Sequence, residues 1–203
     1  MGEVGELTHM GTHVMEGDIS QPGDDQVHRL ITQGAYRPAL ERLLHSHQHL
    51  IVRYCITMLG DTGHGEEIAQ EVFLGAYAAM PRFRQEASVR TWLLAIARKQ
   101  CLKALRDRQR RRRIEEEKRN EIASGVHRAP PDPLEEDREV LGQRVRQALA
   151  RLDPAERTVL LLRYETRLTL GEVAHIVGRS EAGVRRQLVR ALAQLRAVLE
   201  ASP

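Results

Sequence analysis

The sequence predicts an all-α fold of two small helical domains joined by a flexible linker, with a helix-turn-helix in the C-terminal domain. Apolar residues, mostly Leu, Ala, Val and Ile, recur at helical spacing and do not alternate as in strands. The chain has 203 residues, a length that suits one large domain or two small ones. Helical periodicity fails at 114–136, where Ala129-Pro130-Pro131-Asp132-Pro133 cannot continue a helix. We therefore expect that segment to be the linker.

The first domain is expected at residues 25–113, where apolar stripes alternate with residues that end a helix. One stripe runs from about Pro38 to Leu59, and Gly60 stops it. Ser88 is placed to cap the last helix, which continues into an Arg-rich block. These signals predict helices at about 38–59, at about 65–80 ahead of Pro81, and from Ser88 onwards.

The second domain is expected at residues 137–203. Asp153 and Pro154 have the residue types preferred at the cap and first position of a helix. The apolar spacing then predicts four helices, at about 136–151, from Pro154 to near Tyr164, at about 169–177 and at about 180–199.

The segment from Leu168 to Leu188 has the pattern of a helix-turn-helix. Two helices that cross at a short turn need a small residue where they touch, which is Ala174. The turn needs a residue that tolerates positive φ, which is Gly178. Caps are expected at Thr169 and Ser180, and a small core at Val173, Val177, Val184 and Leu188. The second helix would offer DNA its exposed residues Ser180, Glu181, Ala182, Arg185 and Arg186, with Arg190 nearer the phosphates.

Charge is strongly segregated along the chain, although the formal net charge is only +3. Residues 1–24, which we expect to be a flexible acidic leader, contain no Lys or Arg. Residues 98–119 carry eleven basic residues against four acids, and residues 129–143 carry five acids and one Arg. Residues 179–196 hold five Arg against Glu181. This alternation indicates a chain that handles a polyanion in places and avoids it in others.

Other chemistry has little support in the sequence. No apolar run is long enough to cross a bilayer and the acidic N-terminus is no signal peptide, so we expect neither a membrane nor a secreted protein. His45, His47 and His49 cannot converge on one helix face, so no metal or cofactor is expected. Cys55 and Cys101 fit small buried hydrophobes in a reducing cytoplasm. No phosphate loop, nucleophile elbow or metal-hydrolase motif occurs, which argues against an enzyme.

Beyond the helix-turn-helix, the sequence resembles the extracytoplasmic-function sigma factors of bacterial RNA polymerase, a group of the sigma-70 family. The resemblance rests on the segments EEIAQEVFL at 66–74, FRQEASVRTWL at 83–93 and LLLRY at 160–164. It implies that residues 25–113 correspond to sigma region 2 and residues 137–203 to sigma region 4.

The resemblance also implies roles for named residues. The helix at 66–77 would bind the β′ clamp coiled coil of the polymerase through Glu67, Gln70, Glu71, Phe73 and Tyr77. The −10 promoter element would be contacted and melted by Arg82, Phe83, Arg84, Val89, Arg90, Trp92, Arg98, Lys99 and Lys103, with Trp92 as the aromatic wedge. The Arg-rich run at 106–113 would follow duplex phosphates, and the acidic linker would occupy the position of the connector that the family threads toward the RNA path.

These roles imply a dissociable, non-catalytic subunit that directs core polymerase to promoters, reads a −35 element through the helix-turn-helix and helps melt the −10 element. The implied partners are core RNA polymerase, through its β′ clamp and β flap, promoter DNA and an anti-sigma factor. The implied location is the cytoplasm, at the nucleoid when in holoenzyme. The residues leave an alternative open: a free-standing helix-turn-helix repressor or activator that dimerises through residues 25–105 and binds a dyad-symmetric duplex without polymerase.

Overall fold

The regular structure is helical throughout the part of the chain that the structure describes. This structure, a computed structural model, describes residues 24–84, 86–119 and 136–201, so the leader and most of the linker lie outside the described residues. The helices, in chain order, are α1 (Asp24–Thr32), α2 (Tyr36–Leu59), α3 (Thr62–Ala79), α4 (Val89–Arg119), α5 (Glu136–Arg151), α6 (Pro154–Leu160), α7 (Leu170–Val177) and α8 (Glu181–Glu200). A 3₁₀ turn, Met80–Arg82, follows α3, and a π-helical turn, Leu161–Glu165, follows α6. The predicted all-α class is confirmed.

Helices α1 to α4 form the first domain around a core of aliphatic side chains. Helices α2 and α3 pack tightly at Gly65, where an added Cβ would lie 2.6 Å from the Cα of Ile56. Such a close backbone approach is possible only because glycine has no side chain. The core around this crossing includes the fully buried residues Leu43, Ile51, Tyr54 and Met58 of α2, Val72 and Ala76 of α3, and Leu94 of α4.

Helix α4 is longer than the sequence indicated. We expected the first domain to end at residue 113 and the linker to begin there, but the helix continues to Arg119. The stretch from Arg106 to Arg119 contains neither Gly nor Pro and is built almost entirely from strong helix formers. Loss of apolar periodicity therefore marked the end of the buried face and not the end of the helix.

The caps of the second domain, α5 to α8, lie where the sequence placed them. The Asp153 carboxylate accepts a hydrogen bond from the Ala155 N–H at 2.8 Å. Ser180 Oγ accepts from the Gly183 N–H at 3.2 Å, and Gly178 ends α7 with φ of 67°. Of the four predicted core residues, Val173, Val184 and Leu188 are buried and Val177 is half-buried against the core, which Ile176 also joins.

Helix α7 begins with a reciprocal cap between Thr169 and Glu172. Thr169 Oγ1 accepts from the Glu172 N–H at 3.2 Å and donates to Glu172 Oε2 at 2.9 Å. The Thr169 N–H also donates to Glu172 Oε2, at 2.8 Å. Two backbone donors at the helix start are thereby satisfied.

We expect Thr169→Ala to lower the free energy of unfolding by about 1 kcal/mol, because it removes the hydroxyl from this cap. Thr169→Ser keeps the hydroxyl and should retain most of the stability. Equilibrium urea unfolding of the three chains measures the difference. An equal loss in both variants would show that the threonine methyl group, and not the cap, is what stabilises α7.

The two domains pack against each other, and a single hydrophobic cluster runs through both. Helix α2 lies against α5 and α6, and the start of α4 lies against α7. The Arg157 guanidinium of α6 is buried and donates a hydrogen bond to the carbonyl of Met58, at the end of α2. Thr158 Oγ1 lies 3.8 Å from the Met58 sulfur. The sequence predicted two domains on a tether but did not predict this contact between them.

The two cysteines lie in the core of the first domain, as expected for small hydrophobes. Cys55 of α2 and Cys101 of α4 are both fully buried and carry free thiols. Contact with the Cys55 thiol and burial both raise the pKa of Cys101. The two thiols therefore meet across the α2–α4 interface in protonated, unreactive form.

Residues 24–84, 86–119 and 136–201 contain neither a membrane-spanning helix nor a metal-ion cluster. None of the helices in these ranges combines the length and apolar character needed to span a membrane. No cluster of three or more His, Cys, Asp or Glu side chains in them is arranged to hold a metal ion. His47, one of the three alternating histidines, is buried and bonds through Nε2 to Asp24 Oδ1 at 2.9 Å.

Candidate nucleic-acid interface

The exposed face of α8 carries all the residues that the sequence assigned to the −35 element. The inner face of α8 buries Val184, Leu188 and Ala191. Gln187 Nε2 donates to the Ala155 carbonyl at 3.1 Å and fixes α8 to the start of α6. Ser180, Glu181, Ala182, Arg185, Arg186 and Arg190 are exposed. A rigid helix thus presents three arginines and three short or acidic side chains on one side, as a major-groove reading helix does.

An aromatic stack lies at the start of α4. The rings of Phe83 and Trp92 have centroids 4.7 Å apart and planes tilted by 45°. The His28 ring meets the edge of Phe83 at 6.0 Å. Trp92 is half-buried, so it is neither a free wedge nor a fully enclosed core residue. Ser88 caps the helix, its Oγ accepting from the Thr91 N–H at 3.1 Å, and so holds Trp92 in the first turn.

The remaining residues assigned to the −10 element divide into exposed and covered groups. Arg82, Arg84, Lys99 and Lys103 are exposed, and Arg98 is half-buried. Val89, expected to contact the −10 element, is only 3% exposed and packs in the core, so its contact with DNA stays a prediction. Arg90 donates to the carbonyl of Thr166 in the second domain. Burial lowers the pKa of Arg90, and the nearby Glu172 carboxylate partly opposes that shift.

The outer face of α3 contains four of the five residues assigned to polymerase binding. Glu67, Gln70, Glu71 and Tyr77 are exposed. Phe73 is 6% exposed and lies in the core, so it is not on the exposed face with the other four, and its contact with polymerase stays a prediction. Leu74 was missed, although it is 68% exposed. It follows Gln70 by four residues and Glu71 by three, so helical spacing alone would have placed it on their face.

An open groove of about 1090 Å³ runs between α2 and α3, beside this outer face. Leu74 is at its rim, and Arg53 and Arg90 are among its cationic residues. Apolar residues that line it include Leu40, Leu44, Leu50, Val52 and Ile56. An exposed apolar groove next to a charged helix face is typical of a protein–protein contact surface.

The Arg-rich run forms the second half of α4. Arg106, Arg110 and Arg113 line a shallow depression together with Gln109 and Ile114. These arginines are exposed and lie on a long helix that extends beyond the domain core. Such a row of guanidinium groups suits contact with phosphates, which adds affinity without base specificity.

Two protein-family models match this chain. The Sigma-70 region 2 model matches residues 43–111, and the Sigma-70 region 4 model matches residues 148–197. Together the two matches cover more than half of the 203 residues. They contain the aromatic stack, the outer face of α3 and the helix-turn-helix.

Curated relatives carry the same family name. The ECF RNA polymerase sigma factor SigG of Mycobacterium tuberculosis is 34% identical over 176 residues, which is 73% of this chain and 45% of SigG. The RNA polymerase sigma factor YlaC of Bacillus subtilis is 27% identical over 161 residues, covering 79% of this chain and 92% of YlaC. This chain thus spans less than half of the length of SigG but most of the length of YlaC.

Solved structures share the fold. CnrH, solved in complex with the cytosolic domain of CnrY, matches with a TM-score of 0.66 at 21% identity, covering 89% of this chain and 99% of CnrH. The sigma factor RpoE of Bartonella quintana, solved with the anti-sigma factor NepR, matches with a TM-score of 0.57 at 20% identity, covering 89% of this chain and 99% of RpoE.

The all-helical arrangement, the two family models and the named relatives agree. The chain belongs to the sigma-70 family, within its extracytoplasmic-function group of RNA polymerase sigma factors.

Proposed function

We propose that this chain directs core RNA polymerase to specific promoters and helps to open the −10 element at the start of transcription. The single observation that carries the proposal is the exposed face of α8, held in place by the Ser180 cap and by the Gln187 hydrogen bond. A recognition helix needs this combination of fixed backbone and free side chains. In the part of the chain that the structure describes, no ion pair engages Arg185, Arg186 or Arg190.

The −10 element would be opened at the start of α4. The Phe83–Trp92 stack offers a flat aromatic surface on which an unpaired base can stack. Exposed cations at Arg82, Arg84, Lys99 and Lys103 would hold the phosphates of the separated strand. The chain itself would supply no bond-making chemistry, which belongs to the polymerase.

The polymerase would bind at the outer face of α3. Glu67, Gln70 and Glu71 offer a carboxylate-rich surface to a basic partner, and Leu74 and Tyr77 add apolar area beside it. This surface would meet the β′ clamp coiled coil, while the second domain would contact the β flap.

CnrH was solved with the cytosolic domain of CnrY, and RpoE with the anti-sigma factor NepR. By analogy, an anti-sigma factor would restrain this chain in the cytoplasm until it joins the polymerase at the nucleoid.

The test is run-off transcription from fragmented genomic DNA by purified core polymerase, with and without this chain. We expect discrete transcripts that require the chain. Arg185→Ala should reduce them about tenfold or more, since a bidentate base contact contributes about 1–3 kcal/mol. Arg196→Ala is the matched control, because Arg196 is an 81% exposed arginine of the same helix, three turns beyond Arg185 and near the C-terminal end, and should change little.

Trp92→Ala should also reduce the transcripts about tenfold or more, because stacking on an aromatic side chain contributes about 1–3 kcal/mol per base. A template with mismatched base pairs at the −10 element should restore much of the activity of Trp92→Ala and none of the activity of Arg185→Ala. An absence of transcripts, with tight binding of a dyad-symmetric duplex by the chain alone, would establish the repressor or activator alternative.

A further inference from the structure

We propose that His28 of α1 is a positioning residue for the −10 element, because its ring fixes the Phe83 ring on which Trp92 stacks. This inference rests on the proposed function, in which an unpaired base stacks on the rings of Phe83 and Trp92. Helix α1 lies outside the match to the Sigma-70 region 2 model, which begins at residue 43. His28 would therefore support promoter opening from a helix that the family match does not include.

Three rings form a continuous chain from α1 to α4. The centroids of His28 and Phe83 are 6.0 Å apart, and their planes are nearly perpendicular, at 87°. The centroids of Phe83 and Trp92 are 4.7 Å apart, with planes tilted by 45°. Aromatic rings prefer edge-to-face and offset arrangements at such distances. The Phe83 ring is thus in contact with one ring from α4 and one from α1.

Phe83 depends on neighbouring rings because of its place in the chain. It follows the 3₁₀ turn Met80–Arg82, and its N–H donates to the Met80 carbonyl at 3.1 Å. Regular helix resumes only at Val89. The Phe83 side chain is half-buried and lies on neither of the flanking helices. Its rotamer is therefore selected by the rings that pack against it.

Helix α1 is a firm support for this contact. Val27 and Ile31 bury one side of α1 in the core. At the start of the helix, Asp24 Oδ1 bonds to His47 Nε2 of α2 at 2.9 Å, and these side chains are only 5% and 1% exposed. Asp24 precedes His28 by four residues, so this buried pair anchors the face of α1 that carries His28.

The His28 ring acts through packing. Its Nε2 atom is buried and has no hydrogen-bond partner among the described residues. A buried nitrogen without a partner costs free energy, so a hydrocarbon ring of similar shape should serve at least as well. His28→Phe keeps the ring and removes that nitrogen. His28→Leu removes the ring and keeps both the apolar bulk and a good helix former.

The first measurement is the fluorescence of the free chain, because Trp92 is the only tryptophan among the 203 residues and reports on the stack directly. We expect His28→Leu to shift the Trp92 emission to longer wavelength and to increase its quenching by acrylamide, since a loosened stack exposes the indole. His28→Phe should keep the natural spectrum. Arg29→Ala is the matched control, because Arg29 is the exposed neighbour of His28 in α1, and it should also keep that spectrum. Unchanged emission and quenching in His28→Leu would overturn the proposal.

Run-off transcription provides the functional arm. His28→Leu should lower the chain-dependent transcripts about threefold to tenfold, the effect of one aromatic pair on an equilibrium. A template with mismatched base pairs at the −10 element should restore most of the loss, and His28→Phe and Arg29→Ala should transcribe as the natural chain does. A loss in His28→Phe equal to that in His28→Leu would overturn the role of the ring.

A double variant tests whether His28 acts through Phe83. In the Phe83→Leu background, His28→Leu should cause no further loss of transcripts, because the ring that it positions is already absent. A further loss in that background would show that His28 acts by another route, and would overturn the proposal.

The two levels of inference fail differently. Normal transcription by His28→Leu, beside chain-dependent transcripts from the natural chain, would overturn the role of His28 while the proposed function stands. Absence of transcripts from every form would instead overturn the proposed function, and the role of His28 with it.

Discussion

Gly65→Ala is expected to lower the free energy of unfolding by about 3 kcal/mol, the upper part of the usual range for overpacking a core. The added methyl group would lie 2.6 Å from Ile56 Cα and 2.7 Å from Ile56 N and Cγ1. Two of these three atoms belong to the backbone, so the conflict is relieved only by moving α3 away from α2. Urea unfolding measures the loss. For a chain of this size, the melting temperature should fall by roughly 6–12 °C.

Gly75→Ala in the same helix is the matched control. Its added Cβ would lie 3.7 Å from Gln100 Nε2 and from Ile96 Cγ2, which is ordinary van der Waals contact. Alanine is also a better helix former than glycine, so this variant should gain about 0.5–1 kcal/mol. A loss of stability in Gly65→Ala and a gain in Gly75→Ala would show that the α2–α3 crossing, and not helix propensity, determines the stability change at Gly65. If Gly65→Ala were as stable as Gly75→Ala, the crossing would not be as close as described.

Displacement of α3 has a consequence for the proposed polymerase contact. The exposed side chains of Glu67, Gln70 and Glu71 belong to the turns that follow Gly65. We therefore expect Gly65→Ala to bind core polymerase more weakly even at temperatures where the chain is folded. Gly75→Ala should bind as the natural chain does.

Arg157→Met is expected to lower the free energy of unfolding by at least about 3 kcal/mol, since each buried group left without a partner costs about 1–3 kcal/mol. The Arg157 guanidinium is almost fully buried and donates to the carbonyls of Leu149, Ala150, Leu152 and Met58. Three of these carbonyls lie at the end of α5, and the fourth lies at the end of α2 in the other domain. Methionine keeps an unbranched apolar stem but ends short of the guanidinium position, and it provides none of the donors.

Burial lowers the pKa of Arg157, and the Asp153 carboxylate partly opposes that shift. Desolvation of the guanidinium is thus a cost that its hydrogen bonds and the Asp153 carboxylate together offset. Arg163→Met provides a graded control, because Arg163 is half-buried and donates to one carbonyl, that of Leu168, at 2.7 Å. We expect it to lose about 1 kcal/mol, in line with a single hydrogen bond. Equal losses in the two variants would show that the carbonyls at the ends of α2 and α5 do not depend on Arg157.

Much of the fold follows from local signals in the sequence. The caps at Thr169 and Ser180 and the turn at Gly178 involve atoms only a few residues apart, so the residue types alone determined them. The helix-turn-helix and its exposed reading face followed from the same short-range pattern. The α4 boundary was missed because helix-forming residues without an apolar stripe give no periodic signal.

Tertiary structure decided which of the expected site residues are available. Phe73 and Leu74 are adjacent apolar residues that helical spacing puts on different faces of α3, and the packing of α3 on α2 and α4 decides that the face of Phe73 is the covered one. The contact between the Cys55 and Cys101 thiols joins residues 46 positions apart, and the hydrogen bond from Thr91 to Glu172 joins residues 81 apart. Periodicity specifies the face that a helix buries, but it carries no information about which distant surface covers that face. The sequence by itself therefore determined the helices, the caps and the family resemblance, while docking of the two domains decided that Arg90 is half-buried and bonds to the Thr166 carbonyl.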